Sequence, residues 1–214
     1  MSAEETARAE RFRFDRHRRA FILGRAALRM LVASYSGGDP AEIGFVYGPQ
    51  GKPALADESS ALRFNASNSG NMAAYAFTTG CEIGVDLEQY RPVRDLEHIA
   101  WRFFSPPETA ELLALPQAEK DAGFFSCWTR KEAYIKAMGG GLSIPLDSFQ
   151  VTLRPGDARM VSLGGSVDAA RGWTLHDFTP APDYAGAIAY PDIPRALHAI
   201  PSLTLDGLLE KLGE

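Results

Sequence analysis

The chain has 214 residues, of which 45% are hydrophobic and 23% are charged, so it can bury a core as one or two domains and is neither disordered nor fibrous in composition. Its 22 basic and 27 acidic residues give a net charge of −5, which argues against a general nucleic-acid-binding protein. Two cysteines without metal-ligand spacing, together with the lack of any apolar stretch of about 20 residues, predict a cytoplasmic protein that does not enter a membrane.

A long helix is predicted from Asp15 to Tyr35, where apolar residues recur at helical spacing until a Gly- and Pro-containing segment ends the pattern. A second helical region is predicted over residues 95–138, with interruptions near Pro106 and Pro116. Strand-like runs bounded by Gly, Asn and Pro lie at residues 43–47, 62–65, 73–78, 83–88, 148–154, 173–178 and 185–190. Helices and strands are therefore segregated, which predicts an α+β fold.

Two carboxylates separated by one residue lie on an apolar strand in the segment Gly84-Val85-Asp86-Leu87-Glu88. Residues two apart in a strand share a face and lie about 6.5 Å apart, so Asp86 and Glu88 can point into one site. Oxygen ligands of this kind suit a hard cation such as Mg²⁺. Surface strands often carry alternating acids, so an ordinary solvent-exposed strand is the alternative.

A charged pair lies on the helix that contains Trp128, Glu132 and Lys136. Glu132 and Lys136 are four residues apart and share a helix face, as in many surface ion pairs. Because Trp128 belongs to the same face, we expect that face to be partly buried. A charge pair on a buried face needs a functional or structural reason.

Three further segments can meet anionic groups. Residues 63–70 are predicted to be a strand that ends in a polar turn, whose hydroxyls and amides can either bind phosphate or simply form the turn. Lys52 places a cation before a proline at a strand edge. Residues 1–30 hold eight arginines against four acids, which suits either a phosphate-rich ligand or a solvated helix face.

In this order and spacing, the segments resemble the Sfp-type 4'-phosphopantetheinyl transferase family over nearly the whole chain. The resemblance is carried by RF and LGRAALR near the N-terminus, then GKPAL, FNASNSG, GVDLE, RFFSPPE, WTRKEAYIKAMGGGL and PLDSF. It implies an enzyme of the holo-[acyl-carrier-protein] synthase type that moves the 4'-phosphopantetheine group of coenzyme A to a serine of an apo carrier protein. The carrier is of the acyl, polyketide or peptidyl class, and adenosine 3',5'-bisphosphate is released.

The resemblance also implies how the chain is divided. Two similar half-units are expected in a pseudo-twofold arrangement, each with a small, mostly antiparallel sheet packed on a long helix. Residues 1–90 would bind the nucleotide and supply the first two metal ligands. Residues 95–214 would supply the third metal ligand, a lysine and the carrier-binding surface, for which Phe103 and Phe104 are candidates. A single chain would then complete the cleft, so a monomer is expected.

The metal ligands that the resemblance implies are Asp86, Glu88 and Glu132, which would bind Mg²⁺ within one ligand sphere. Glu132 or a metal-bound water would take the proton of the acceptor serine. Lys136 matches the family lysine that contacts the phosphate under attack. The expected contacts with coenzyme A are Arg8, one of Arg16 and Arg19, Lys52, Ser67 and Asn68.

The sequence departs from the family pattern at two points. Asn68 stands where the family commonly has histidine, and an asparagine can donate a hydrogen bond to phosphate but carries no charge. The family usually has a strand before the segment matching Ser2–Phe12, and none precedes it in this sequence, so either the sequence is truncated at its N-terminus or this member lacks that strand. Asn68 leaves open a catalytically weak homologue that binds coenzyme A or a carrier. A metal-dependent phosphatase or nuclease is a further alternative, although the extra ligands of a two-metal site are lacking.

Overall fold

The computed structural model describes residues 1–191, 194–201, 203–204, 207 and 210. Its helices are α1 (Ala3–Glu10), α2 (Asp15–Ser36), α3 (Leu96–Phe103), α4 (Pro106–Ala114), α5 (Gln117–Met138) and α6 (Val167–Ala170). Its strands are β1 (Phe45–Tyr47), β2 (Pro53–Leu55), β3 (Leu62–Ser69), β4 (Met72–Thr79), β5 (Gly84–Gln89), β6 (Phe149–Val151), β7 (Met160–Leu163), β8 (Trp173–Phe178) and β9 (Tyr184–Pro191). Small antiparallel sheets and segregated helices confirm the predicted α+β class. No helix among these residues has the length and apolar composition of a membrane span.

Residue contacts divide the chain into two compact units. One comprises residues 1–46, 55–62 and 200–214, and the other comprises residues 47–54 and 63–199. These boundaries differ from those of the predicted half-units, residues 1–90 and 95–214, which stay a prediction together with their pseudo-twofold arrangement.

In the first unit, a buried ion pair joins α1 to α2. A capping box begins α1, in which Ser2 and Glu5 exchange hydrogen bonds. The Glu5 carboxylate is 2% exposed and accepts a hydrogen bond from Arg29 at 2.9 Å. Arg29 also donates to the carbonyls of Pro40 and Ile43, at 2.9 and 2.8 Å. The sequence did not predict α1, although its capping box is visible in residues 2–5.

In the second unit, α5 packs on the antiparallel sheet ordered β5-β9-β8. Asp86 of β5 pairs with Ala187 of β9, and Glu88 pairs with Ala185. Small residues on the α5 side, including Ala133, which is 0% exposed, let the helix approach the sheet closely. The acids of β5 and the charged residues of α5 therefore lie on two elements that pack directly against each other.

Two consecutive buried cations fix the rotation of α5. Arg130 pairs with Asp177 of β8, whereas Lys131 pairs with Glu108 of α4 at 2.8 Å. Both cations have 0% exposed side chains. Buried charges are tolerated only when they are paired and hydrogen-bonded, so these contacts allow little freedom in the orientation of the helix. Glu132, the next residue, is thereby held on a defined face.

Prolines lie at the starts of two helices, where the sequence predicted interruptions. Pro106 begins α4 after Ser105, whose backbone and hydroxyl both donate to Glu108, at 2.7 and 2.8 Å. Pro116 is the N-cap residue of α5. The predicted interruptions near Pro106 and Pro116 are confirmed.

The polar segment before Gly70 differs from its prediction. Instead of turning early, β3 continues to Ser69, and the chain reverses at Gly70 with a φ of 57°. Asn65, Ser67 and Ser69 are buried, whereas Asn68 is exposed. Ser and Asn favour turns in isolation, but here the buried side chains have hydrogen-bond partners on β5, and that tertiary context overrides local propensity.

Replacing Gly70 with Ala is expected to lower the free energy of unfolding by about 2 to 3 kcal/mol. A Cβ at this position would overlap with the side-chain oxygens of Gln89 and Tyr184, besides straining the positive φ. Gly164 has a similar φ of 54°, and an added Cβ there meets nothing within 4 Å. Gly164→Ala should therefore cost only about 1 kcal/mol in urea unfolding. Equal losses in the two variants would show that the contacts of Gly70 do not matter.

Candidate active site

The site begins where β5 and α5 touch. A Cβ on Gly84 would overlap with the carbonyl oxygen of Ala133 and the amide nitrogen of Ala137, so only glycine allows this approach. Asp86 follows two residues later on the same side of β5. Lys136 lies on the facing helix, and its Nζ donates to Asp86 Oδ1 at 2.5 Å.

A small hydrogen-bond network surrounds this ion pair. Lys136 Nζ also donates to Ser67 Oγ at 3.0 Å, and Ser67 Oγ donates to Asp86 Oδ1 at 2.9 Å. The backbone amide of Leu87 donates to Ser67 Oγ at 3.3 Å. A hydroxyl has one hydrogen and two acceptor positions, so these contacts use the full capacity of Ser67. The structure thus brings Ser67, Asp86 and Lys136 together, and the ion-pair partner of Lys136 is Asp86 rather than Glu132.

Asp86 is buried, with 4% of its surface exposed, and its Oδ2 has no hydrogen-bond partner among the described residues. Burial raises the pKa of Asp86, and the charge of Glu88 adds to the rise, while Lys136 and Ser67 oppose it. An unpartnered buried carboxylate oxygen is unfavourable unless a cation or donor satisfies it. The donor chemistry at Asp86 therefore fits a hard cation.

Glu132 is half-buried on α5, and so are Trp128 and Lys136, as expected for one partly buried helix face. Burial raises the pKa of Glu132, and the charges of Asp86 and Glu88 raise it further, while Lys136 lowers it. The three predicted metal ligands thus interact electrostatically. No group of three or more His, Cys, Asp or Glu residues in the described ranges is close enough to hold a metal ion, so the three-acid ligand sphere stays a prediction.

Glu88 is oriented by two donors, and its side chain is 20% exposed. Ser69 Oγ donates to Glu88 Oε2 at 2.8 Å, and Arg91 Nη1 donates to the same oxygen at 3.1 Å. Sequence reasoning missed Ser69. The signal that could have found it is the period-two pattern of polar residues at positions 65, 67 and 69, which places all three on one face of a strand.

Lys52 holds the end of α5 to the start of β5. Its Nζ donates to Glu82 Oε2 at 2.7 Å, to the carbonyl of Ile83 at 3.1 Å and to the carbonyl of Ala137 at 3.0 Å. An ammonium group has three hydrogens, so these bonds use all of them. To bind a phosphate, Lys52 must exchange one of these bonds.

Comparisons with known proteins identify the family. Residues 82–189 match the model of the 4'-phosphopantetheinyl transferase superfamily. The chain belongs to this family. Residues 1–80 match the model described as 4'-phosphopantetheinyl transferase, N-terminal.

Curated relatives of the transferase match it over most of its length. The 4'-phosphopantetheinyl transferase HetI of Nostoc is 40% identical over 191 residues, which cover 88% of this chain and 78% of the relative. Sfp of Bacillus subtilis is 34% identical over 194 residues, covering 91% and 84%. The transferase psf-1 of Bacillus pumilus is 32% identical over 213 residues, covering 100% and 88%.

The other residues predicted to contact the nucleotide lie at exposed positions of the transferase. Asn68 is exposed on the face of β3 opposite to Ser67. In the first unit, Arg8 is exposed and its guanidinium lies 5.4 Å from the ring centroid of Phe21. Arg16 and Arg19 are exposed on α2. Their contacts with coenzyme A stay predictions.

The prediction that Phe104 forms a carrier-binding surface is wrong. Phe104 is 2% exposed and packs on Phe124, with ring centroids 5.4 Å apart. Phe103 is half-buried against Trp128, with ring centroids 6.0 Å apart. The reason is that the apolar face of α3 and Phe104, the residue that follows it, enter the hydrophobic core that α5 also lines.

Proposed function

We propose that this transferase moves the 4'-phosphopantetheine group from coenzyme A to a serine hydroxyl of an apo carrier protein in a Mg²⁺-dependent reaction. The observation that carries the proposal is the buried Asp86 carboxylate, with one oxygen bound by Lys136 and Ser67 and the other unpartnered among the described residues. Family membership supports the class of reaction. The carboxylate and ammonium groups of this site are suited to bind a cation and a phosphate, as that reaction requires.

Asp86, Glu88 and Glu132 are the residues that would hold Mg²⁺. When bound, the ion would neutralise charge on the pyrophosphate of coenzyme A during transfer. Glu132, which faces the same site from α5, or a metal-bound water would accept the serine proton. The serine oxygen forms a bond to the phosphorus that bears the pantetheine arm, and the bond from that phosphorus to the nucleotide breaks. Adenosine 3',5'-bisphosphate leaves with the electron pair.

Lys136 is proposed to contact the phosphate under attack. Two of its three ammonium hydrogens are used by Asp86 and Ser67 among the described residues, which leaves one for a phosphate oxygen. We further propose that Arg8, Arg16, Arg19, Lys52, Ser67 and Asn68 contact coenzyme A. For Lys52 and Ser67 this requires an exchange of existing hydrogen bonds.

Replacing Lys136 with Met is expected to lower kcat about 100-fold, with a smaller change in the KM for coenzyme A, because the charge acts where negative charge develops. Steady-state kinetics at saturating Mg²⁺ measure both quantities. Lys120→Met is the matched control on the same helix, because Lys120 pairs only with the exposed carboxylate of Glu97 at 3.3 Å in the described structure. A kcat that falls less than threefold in Lys136→Met would contradict the proposed role.

Mass spectrometry of the carrier tests the function as a whole. The transferase is incubated with coenzyme A, Mg²⁺ and one apo carrier of the acyl, polyketide or peptidyl class, and the carrier is then weighed. We expect a gain of one phosphopantetheine group, and no gain when a chelator removes Mg²⁺. Unchanged mass for all three carriers, with coenzyme A still bound, would favour a catalytically weak binding homologue. Size-exclusion chromatography tests the proposed monomer.

A further inference from the structure

The backbone amides along one edge of β5 are hydrogen-bonded to side chains and not to the backbone of another strand. On one edge, β5 pairs with β9. On the other edge, three alternate amides of β5 donate to side-chain oxygens of β3, each to the residue 20 positions earlier in the chain. The donor–acceptor pairs are Val85 with Asn65 Oδ1 at 2.9 Å, Leu87 with Ser67 Oγ at 3.3 Å, and Gln89 with Ser69 Oγ at 3.1 Å.

The two serines of this side-chain ladder, Asn65-Ser67-Ser69, perform a second task. Ser67 donates its hydrogen to Asp86, and Ser69 donates its hydrogen to Glu88, at 2.9 and 2.8 Å. Each hydroxyl accepts a bond from one β5 amide and donates to the carboxylate of the residue just before that amide. A hydroxyl has a single hydrogen, so the amide contact and the carboxylate contact fix its direction together.

The end of the ladder is tied to the sheet as well. The backbone amide of Asn71 donates to the Tyr184 hydroxyl at 3.2 Å, and Gly70 lies against Gln89 and Tyr184. Since Tyr184 is the first residue of β9, which pairs with β5, the turn that follows β3 is held to the same sheet that carries the acids. A shift of β3 by one residue would turn every ladder side chain to the other face.

We propose that Ser69 is a positioning residue for the metal-binding carboxylate of Glu88, and that the ladder sets both strand acids before the cation arrives. Glu88 has a long, flexible side chain whose ordering costs conformational entropy. Ser69 and Arg91 both bind its Oε2, and neither takes Oε1. The inference rests on the proposed Mg²⁺-dependent function.

Mn²⁺ binding to the full chain tests the proposal, with electron paramagnetic resonance as the readout and coenzyme A present. We expect Ser69→Ala to weaken Mn²⁺ binding about tenfold, as hydrogen-bond partners of metal ligands typically do. Ser69→Thr keeps the hydroxyl in a strand that favours β-branched residues, and it should stay within about threefold of the wild type. Ser148→Ala is the matched control, since its exposed hydroxyl donates to the carbonyl of Pro145 at 2.6 Å and touches neither acid.

Amide hydrogen exchange gives an independent readout of the ladder. The amide of Gln89 should exchange faster in Ser69→Ala than in the wild type, and Ser69→Thr should restore its protection. If Ser69→Ala fails to fold, Ser69→Cys takes its place, because a thiol is a weaker donor of similar size. Ser69→Cys should likewise weaken Mn²⁺ binding and speed exchange of the Gln89 amide.

The outcomes separate the two proposals. If the wild type binds Mn²⁺ and Ser69→Ala binds it equally well, the positioning role is overturned while the transferase proposal stands. If Ser69→Thr is as weak as Ser69→Ala, the hydroxyl is not the cause and the positioning role is again overturned. If the wild type binds no Mn²⁺ in the presence of coenzyme A, the metal-dependent function fails, and this inference fails with it.

Discussion

Replacing Glu132 with Gln is expected to reduce phosphopantetheine transfer at least about 1000-fold, because one substitution removes both a metal-binding carboxylate and the proposed base. Glutamine keeps the size and shape of the side chain. Burial and the charges of Asp86 and Glu88 disfavour the Glu132 carboxylate in the metal-free protein, since they raise its pKa. The melting temperature of Glu132→Gln without metal should therefore equal or exceed that of the wild type.

The matched control is Glu119→Gln, which removes one exposed carboxylate from the same helix. Transfer by this variant should stay within about twofold of the wild type, because a surface charge of this kind contributes little. Activity of Glu132→Gln within tenfold of the wild type would remove Glu132 from the mechanism. A loss of activity accompanied by a lower melting temperature would point to a damaged fold instead.

The elements near the site could be predicted from the sequence because strong local signals bound them. Pro106 and Pro116 cannot continue a helix, so they divide the helical region at positions that the pattern alone reveals. The strand β8, Trp173–Phe178, has the bounds that its apolar and β-branched residues predict. The acids of β5 share one face for the same periodic reason, so Asp86 and Glu88 lie on the same side of the strand.

Partner choice could not be predicted, because it depends on tertiary contacts. The spacing of Glu132 and Lys136 suggests an ion pair within the helix, yet Lys136 reaches across to Asp86. The sequence predicts only that Lys52 is a cation at a strand edge, whereas in the structure it donates to two backbone carbonyls and to Glu82. Such contacts join residues that are 30 or more positions apart, and no local pattern encodes them.

The buried side-chain ladder shows the same limit in a strand. Asn and Ser are common in turns because their side chains bond to the nearby backbone. In this chain Ser67 and Ser69 bond to the backbone of β5 instead, so the strand extends to Ser69. The sequence shows the alternation of the polar residues, but it does not show that they face β5.

Replacing Gly84 with Ala is expected to lower transfer about 100-fold and to cost about 4 kcal/mol of unfolding free energy. The added Cβ would overlap with backbone atoms of Ala133 and Ala137, which cannot move aside as a flexible side chain would. Either β5 or α5 must shift, and the shift separates Asp86 from Lys136.

Gly172→Ala is the matched control for this substitution, because a Cβ there would lie 3.6 Å from the carbonyl oxygen of Ala169, an ordinary contact. Urea unfolding should show a loss below about 1 kcal/mol for Gly172→Ala, and its transfer rate should match the wild type. The close approach at Gly84 sets the distance between the strand acids and the helix residues, so activity should fall even under conditions where Gly84→Ala is fully folded. A folded Gly84→Ala variant with wild-type kcat would show that this distance does not control transfer, and the site would then have to tolerate a displacement of α5.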